Sequence, residues 1–186
     1  MTDSSQKEDQ GRCTLNRREF LLYGGTAAVA VSTLSLSLFS GSARARVVSY
    51  PRQWIARLSQ LTDHQLLNFH YPNEQAQSFL VKMGGIQAGG GLGPEHDVVA
   101  FSYICTHQGG SLKGGYKAVG EHRVMGQCPL HLSTYDLTRH GIIVSGQAYQ
   151  SLPQVMLELE GDDIYASGVM GLLHGYHDNL PSRRKP

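Results

Sequence analysis

Cys105-Thr106-His107-Gln108-Gly109-Gly110 and, further along, Cys128-Pro129-Leu130-His131-Leu132-Ser133-Thr134-Tyr135-Asp136 are the two stretches on which the reading of this chain turns. Each brings one thiol and one imidazole into a short loop, as Cys-x-His and Cys-x-x-His. Two thiolates with two neutral imidazoles satisfy either of two metal chemistries. One is tetrahedral zinc; the other is a [2Fe-2S] centre in which histidines replace two cysteines on one iron. Zinc fingers usually pair like with like, whereas here each loop supplies one of each, which favours iron and sulfur. Removing two negative ligands eases the addition of an electron and raises the potential to roughly −150 to +300 mV. Gly109, Gly110, Gly114 and Gly115 leave room for main-chain N–H groups to approach sulfur, and Pro129 stiffens the second loop.

These segments resemble the two cluster loops of Rieske proteins, and Gly146-Gln147-Ala148 through Leu152-Pro153 resembles their third, proline-containing loop. The resemblance implies one Rieske-type [2Fe-2S] cluster per chain, with Cys105 and Cys128 on one iron and His107 and His131 on the other. It also places Ser133 and Tyr135 where high-potential members carry hydroxyls that donate to a bridging sulfide and to a cysteine sulfur. Many Rieske proteins of cytochrome bc complexes, and some of arsenite oxidases, join the two loops by a disulfide. Here those positions are Gly110 and Leu130, and the chain has 3 cysteines, the two expected ligands and Cys13. Packing and the cluster itself must therefore hold the loops together.

Outward from the loops, short β-type runs separated by turn residues dominate: 66–71, 78–83, 98–103, 122–125, 142–144, 155–159 and 164–166. Together with the resemblance they predict an all-β fold, a Rieske-type antiparallel β-sandwich with a cluster-binding subdomain. Gly161-Asp162-Asp163 reads as the acidic turn of a hairpin. Only residues 52–61 show helical spacing, in Trp54, Ile55, Leu58 and Leu61. The glycine-dense stretch 84–94 lacks the lysine of a phosphate loop and leads toward a strand, so it reads as a long turn beside the cluster loops. The other histidines, among them His64, His140 and His174, form no second ligand set.

The N-terminus carries Asn16-Arg17-Arg18-Glu19-Phe20-Leu21-Leu22, an uncharged stretch over 21–39, and Ala43-Arg44-Ala45 as an A-x-A cleavage candidate. Residues 1–45 are accordingly a twin-arginine signal segment and 46–186 the Rieske domain, with the periplasm as destination. The apolar stretch is about long enough to span a bilayer, so membrane attachment is expected only if the signal is not cleaved. From Arg46 onward basic and acidic residues are equal in number, so the net charge of +1 comes from the signal. Nothing in this balance suggests nucleic acid, and the basic stretch 182–185 reads as a solvated terminus.

The segments 81–84, 91–102, 146–153 and 168–175 further resemble the small subunit of arsenite oxidase. That resemblance implies a heterodimer with a molybdopterin-containing large subunit, and relay of electrons to a cytochrome c or copper-protein acceptor. The chain itself would be a non-catalytic electron-transfer subunit, and no nucleophile or general base outside the cluster argues otherwise. The small subunit of the related iodate reductase is the nearest alternative. A cytochrome bc Rieske subunit, a dioxygenase ferredoxin and an exported zinc-stabilised binding module are further ones.

Overall fold

The computed structural model describes residues 49–179. The twin-arginine segment, Cys13 and the basic terminus lie outside the described residues. The described residues contain no α-helix. In chain order the strands are β1 (Gln53–Arg57), β2 (Leu66–His70), β3 (Gln77–Lys82), β4 (Val98–Ser102), β5 (Tyr116–Val119), β6 (His122–Met125), β7 (Thr134–Asp136), β8 (Ile142–Ser145), β9 (Gln154–Glu160) and β10 (Asp163–Met170). They form a six-stranded sheet in the order β1-β10-β9-β4-β3-β2 and a four-stranded sheet in the order β5-β6-β7-β8. All pairings between strands are antiparallel.

The small sheet is an excursion from the large one. The chain leaves at the end of β4, builds β5 to β8, and returns in β9, which pairs with β4 through Ala100↔Val155 and Phe101↔Gln154. The segment departing from β4 carries Cys105 and His107, and the segment returning to β9 is the proline-containing loop. The second cluster loop, with Cys128 and His131, joins β6 to β7. The topology alone thus gathers all three loops at one end of the small sheet.

β3 and β4 are buried on both faces, which is why they read as continuous apolar runs. Phe79, Val81, Val99 and Phe101 point into a core shared with the small sheet through Met125, Tyr135 and Leu137, and Cys105 and Cys128 belong to that same core. The alternate residues Leu80, Val98 and Ala100 join a second core with Ile55, Ile164 and Ala166. Phe79 sits 4.7 Å from the Tyr103 ring and 6.2 Å from Phe101, centroid to centroid.

The structure corrects one expectation. Residues 52–61 are not helical: Gln53–Arg57 is an edge strand and Leu58–Gln60 a single 3-10 turn. The pairing of β1 with β10 shifts register between Trp54 and Ala56, a bulge that turns both Ile55 and Ala56 inward. Two successive buried residues break the period of two and imitate helical spacing. The acidic hairpin turn is present at Gly161 and Asp162. Asp162 accepts from the Ser59 N–H at 2.9 Å and the Ser59 hydroxyl at 2.5 Å, which hold its carboxyl below the usual range and fix the 3-10 turn. The glycine-dense stretch is a turn, but what it packs on is Thr138, His140 and Gln154.

Replacing Phe79 by Ala should destabilise the fold by about 3–5 kcal/mol, because the ring is fully buried between two aromatic neighbours. Denaturant melts of wild type and variant measure it. A loss below about 1 kcal/mol would mean that this core is not the one that holds the sheets together.

Candidate metal centre

The two Cys/His loops are built on one backbone plan. In the first, the Cys105 N–H donates to the Gly110 carbonyl at 2.8 Å, and the Cys105 carbonyl accepts from the Gly109 N–H at 3.0 Å. In the second, Cys128 N–H donates to Ser133 at 2.9 Å, and its carbonyl accepts from Leu132 N–H at 2.9 Å. Each turn needs a left-handed residue four places after the cysteine. Gly109 takes φ 71° without cost, while Leu132 takes φ 60° despite its side chain. Within these matched turns the histidines fall at different places, which the Cys-x-His and Cys-x-x-His spacings express.

Together the turns place the four expected donors in two pairs. The Cys105 and Cys128 thiols are buried, at 0 % and 1 % exposure, and are free of any disulfide. His107 and His131 are half-buried, with Nδ1 atoms 3.1 Å apart and rings at 80°. Two nitrogens bound to one metal ion at ~2.0–2.1 Å each stand about 3–3.5 Å apart in tetrahedral geometry, so this pair suits a single iron. Among the described residues no three His, Cys, Asp or Glu side chains gather around one point. Two donors at each of two poles is the arrangement that a two-iron cluster with two protein ligands per iron requires.

Around the sulfurs lie hydroxyls. Tyr135, at the centre of β7 and fully buried, points its phenol into the core to reach Cys105 Sγ at 3.1 Å. Burial, reinforced by the neighbouring thiol, pushes the Tyr135 hydroxyl up to about 12, so it keeps its proton and stays a donor. Burial also raises the Cys105 thiol. Donation from Tyr135, the His107 N–H, Cys128 and Ser133 outweighs that and leaves Cys105 below its ordinary value. Cys128 is held above its own by burial first, and by the neighbouring Cys105. Ser133 is buried and accepts from the Ala148 N–H at 3.1 Å, which leaves its own proton to donate.

Sequence reasoning passed over three participants. Thr106 is buried between Cys105 and His107; its N–H donates to the Tyr135 oxygen at 3.2 Å and its hydroxyl to the Gln150 carbonyl at 2.7 Å. Gly146, at φ 93°, lies so close to Ser133 that a Cβ there would fall 2.3 Å from the Ser133 Cα. His174 packs its ring against Gly109, where an added Cβ would be 2.7 Å from Cδ2. Thr106 carried a local signal in its position between Cys105 and His107, and Gly146 in opening the third loop; His174 carried none.

Gly110 and Leu130 do face one another: a Cβ on Gly110 would stand 3.1 Å from the Leu130 side chain and 2.7 Å from Cys128 Sγ. Gly110→Ala should therefore cut the iron bound per chain several-fold, since a methyl group would occupy the space beside the Cys128 sulfur, an expected ligand. Iron and sulfide analysis of the purified variant tests this. Full iron content would show that the loop gives way at no cost.

The model of the Rieske [2Fe-2S] domain matches residues 53–156. An iodate reductase subunit, IdrB, of Pseudomonas sp. (strain SCT) is 49% identical over 170 residues, covering 91% of this chain and 87% of that protein. IdrB of Denitromonas iodatirespirans is 48% identical over 172 residues, 92% of this chain and 90% of that one. Among solved structures, the soluble domain of Rieske protein II (soxF) from Sulfolobus acidocaldarius superposes with a TM-score of 0.56 at 27% identity, over 64% of this chain and 78% of that one. The cofactor is accordingly a Rieske-type [2Fe-2S] cluster, and the chain belongs to the Rieske [2Fe-2S] family.

Proposed function

We propose that this chain is the electron-transfer subunit of an exported iodate reductase-type complex, with Cys105 and Cys128 on one iron and His107 and His131 on the other. The observation that carries the electron-transfer reading is the polarity of the site: sulfurs buried in the core, imidazoles at the surface. When bound, the cluster supplies one-electron oxidation and reduction. The chain's own residues exclude water from the cysteine side, aim Tyr135 and Ser133 at sulfur, and present the histidine edge to a partner. Leu130, Leu132 and Tyr149 are exposed there, and residues 104–112, 126–135 and 146–153 contain no Asp, Glu, Lys or Arg. A partner of matching apolar surface fits this edge better than one recognised by charge.

Iodate, in place of the arsenite expected from the sequence resemblance, is favoured by the near-half identity to two IdrB subunits over about nine-tenths of the chain. On that reading electrons pass through this chain toward a larger, molybdopterin-containing catalytic subunit, supplied by a cytochrome c or copper protein. Arsenite oxidation would reverse the flow with the same cluster. Export by the twin-arginine route to the periplasm fits a protein that must fold around its cluster before crossing the membrane.

In the complex purified from its native source, molybdenum should accompany iron, and the reduced cluster's EPR signal should disappear on adding iodate. Appearance of that signal on adding arsenite to the oxidised complex would instead establish the arsenite reading. In the isolated chain, Tyr135→Phe should keep the cluster and lower its potential. The reduced cluster is the more negative form and gains more from a donor to sulfur. A hydrogen bond to a charged acceptor contributes ~1.5–3 kcal/mol, and a tenfold change in a one-electron equilibrium is about 59 mV. A fall of several tens of millivolts is thus expected, with a similar direction for Ser133→Ala. Unchanged potentials in both variants would remove these hydroxyls from the site.

A further inference from the structure

Beyond the matched domain, which ends at residue 156, the chain runs through β10 and then makes a compact excursion over 171–179. Asn179, its last residue, closes it back onto its start. Its side-chain amide donates to the Gly171 carbonyl at 2.6 Å, and its side-chain oxygen accepts from the Leu173 N–H at 2.7 Å. Asn179 and Leu173 are buried, at 4 % and 3 % exposure, although this segment stands at the margin of both cores. Tyr176 fastens it further, donating to Asn73 at 3.0 Å.

The closed segment reaches the cluster loops at two points. The Leu172 carbonyl accepts from Gln150 Nε2 at 2.8 Å, and the Gln150 backbone carbonyl in turn accepts from the Thr106 hydroxyl at 2.7 Å. Thr106 also donates its N–H to Tyr135, the hydroxyl beside Cys105. At the second point the His174 ring lies against Gly109. One contact thus acts on the residue before His107 and the other two residues after it, so the segment brackets that loop on both sides of its histidine.

We propose that residues 171–179 are a non-covalent clasp that fixes the first cluster loop against the third, with Asn179 and Gln150 as positioning residues for the cluster. This rests on the ligand assignment above. Cys105 and Cys128 are free, so no covalent bond does this work among the described residues. None of the clasp's own side chains is a donor in the proposed ligand set, and its action runs through Gln150, Thr106 and Gly109. The clasp lies outside residues 53–156, the span that the family model matches.

The test uses the full-length, cluster-loaded protein and the variants Asn179→Ala, Gln150→Met and the pair combined. Gln150→Met keeps the length of the side chain, adds no charge and removes the donor to Leu172. Under an iron chelator, each single variant should lose its EPR signal about fivefold faster than wild type, the factor that one hydrogen bond carries. The double variant should lose it no faster than the worse single, because the two residues act in one chain of contacts. Amide exchange at Gly109 and Gly110 should accelerate in parallel, a readout that does not need the cluster. Wild-type rates in both singles, or effects that multiply in the double, would overturn the clasp. If wild type itself gives no Rieske signal, the ligand assignment fails, while unaltered exchange at Gly109 and Gly110 separately rules out the clasp. His174→Ala, an exposed substitution that leaves Asn179 and Gln150 in place, should speed both measurements, and rates equal to wild type in it would likewise overturn the proposal.

Discussion

Everything at the metal centre depends on the pairing of β4 with β9 through Ala100↔Val155 and Phe101↔Gln154. That short ladder forces the chain to depart and return side by side, so the segments after Ser102 and before Gln154 are neighbours before any contact between them is counted. The Ser102 N–H donates to the Pro153 carbonyl at 2.9 Å, and the ladder continues into the loops themselves. Thr106 and Gln150, far apart in sequence, then bond at 2.7 Å because their strands leave them no other place. The pairings of β6 with β7 and of β7 with β8 bring in the second donor loop in the same way, and such imposed adjacency spares the backbone entropy that ordering separate loops would cost at every residue.

The ladder also explains why the site is polarised. β3 and β4 bury both faces, and the face that holds Phe79, Val81 and Phe101 continues into Cys105, Leu112 and Cys128. The thiols are therefore core residues by packing. Each histidine follows its cysteine by two or three residues, enough for the turn to climb out of that core, so the imidazoles reach the surface where the thiols cannot. Sulfur in the core is approached by a donor that keeps its proton, Tyr135, and by Ser133, itself set by the Ala148 N–H. Burial raises the phenol and so preserves it as a donor in the environment where sulfur needs one.

What the sequence made legible follows from whether a residue's role is local. The four donors, the glycines beside them, and the strands from Leu66, Gln77, Val98, His122, Ile142, Gln154 and Asp163 all announce themselves through spacing or alternation. β1 did not, because its bulge at Trp54 to Ala56 breaks alternation. β5 and β7 did not either: Tyr116–Val119 is exposed but for its first residue, and Thr134–Asp136 is too short to show a period. The match between the two cysteine turns lies in backbone bonds to the fifth residue on, which side-chain identity hardly encodes, since one uses glycine and the other leucine at the left-handed position. The links of Thr106 to Gln150 and of His174 to Gly109 are long-range, and no window of sequence contains both partners.

The composition of the loops carries one more consequence. With no Asp, Glu, Lys or Arg in residues 104–112, 126–135 or 146–153, what these loops add at the cluster beyond its own ligands comes from oriented dipoles: the phenol of Tyr135, the hydroxyl of Ser133, and the N–H groups beside the cysteines. Dipoles act over shorter distances than charges and depend on angle, so their contribution is only as constant as the loops are rigid. A charged loop could tolerate an ångström of play with little change in its field; a dipolar one cannot. This gives the contacts that brace the loops an electrochemical meaning. On the roles proposed for Ser133 and Tyr135, Gly146 against Ser133, Gln150 on Thr106 and the proposed clasp closed by Asn179 would hold the hydroxyls at fixed angles to sulfur, and through those angles the packing of the chain would set the energy of the electron it carries.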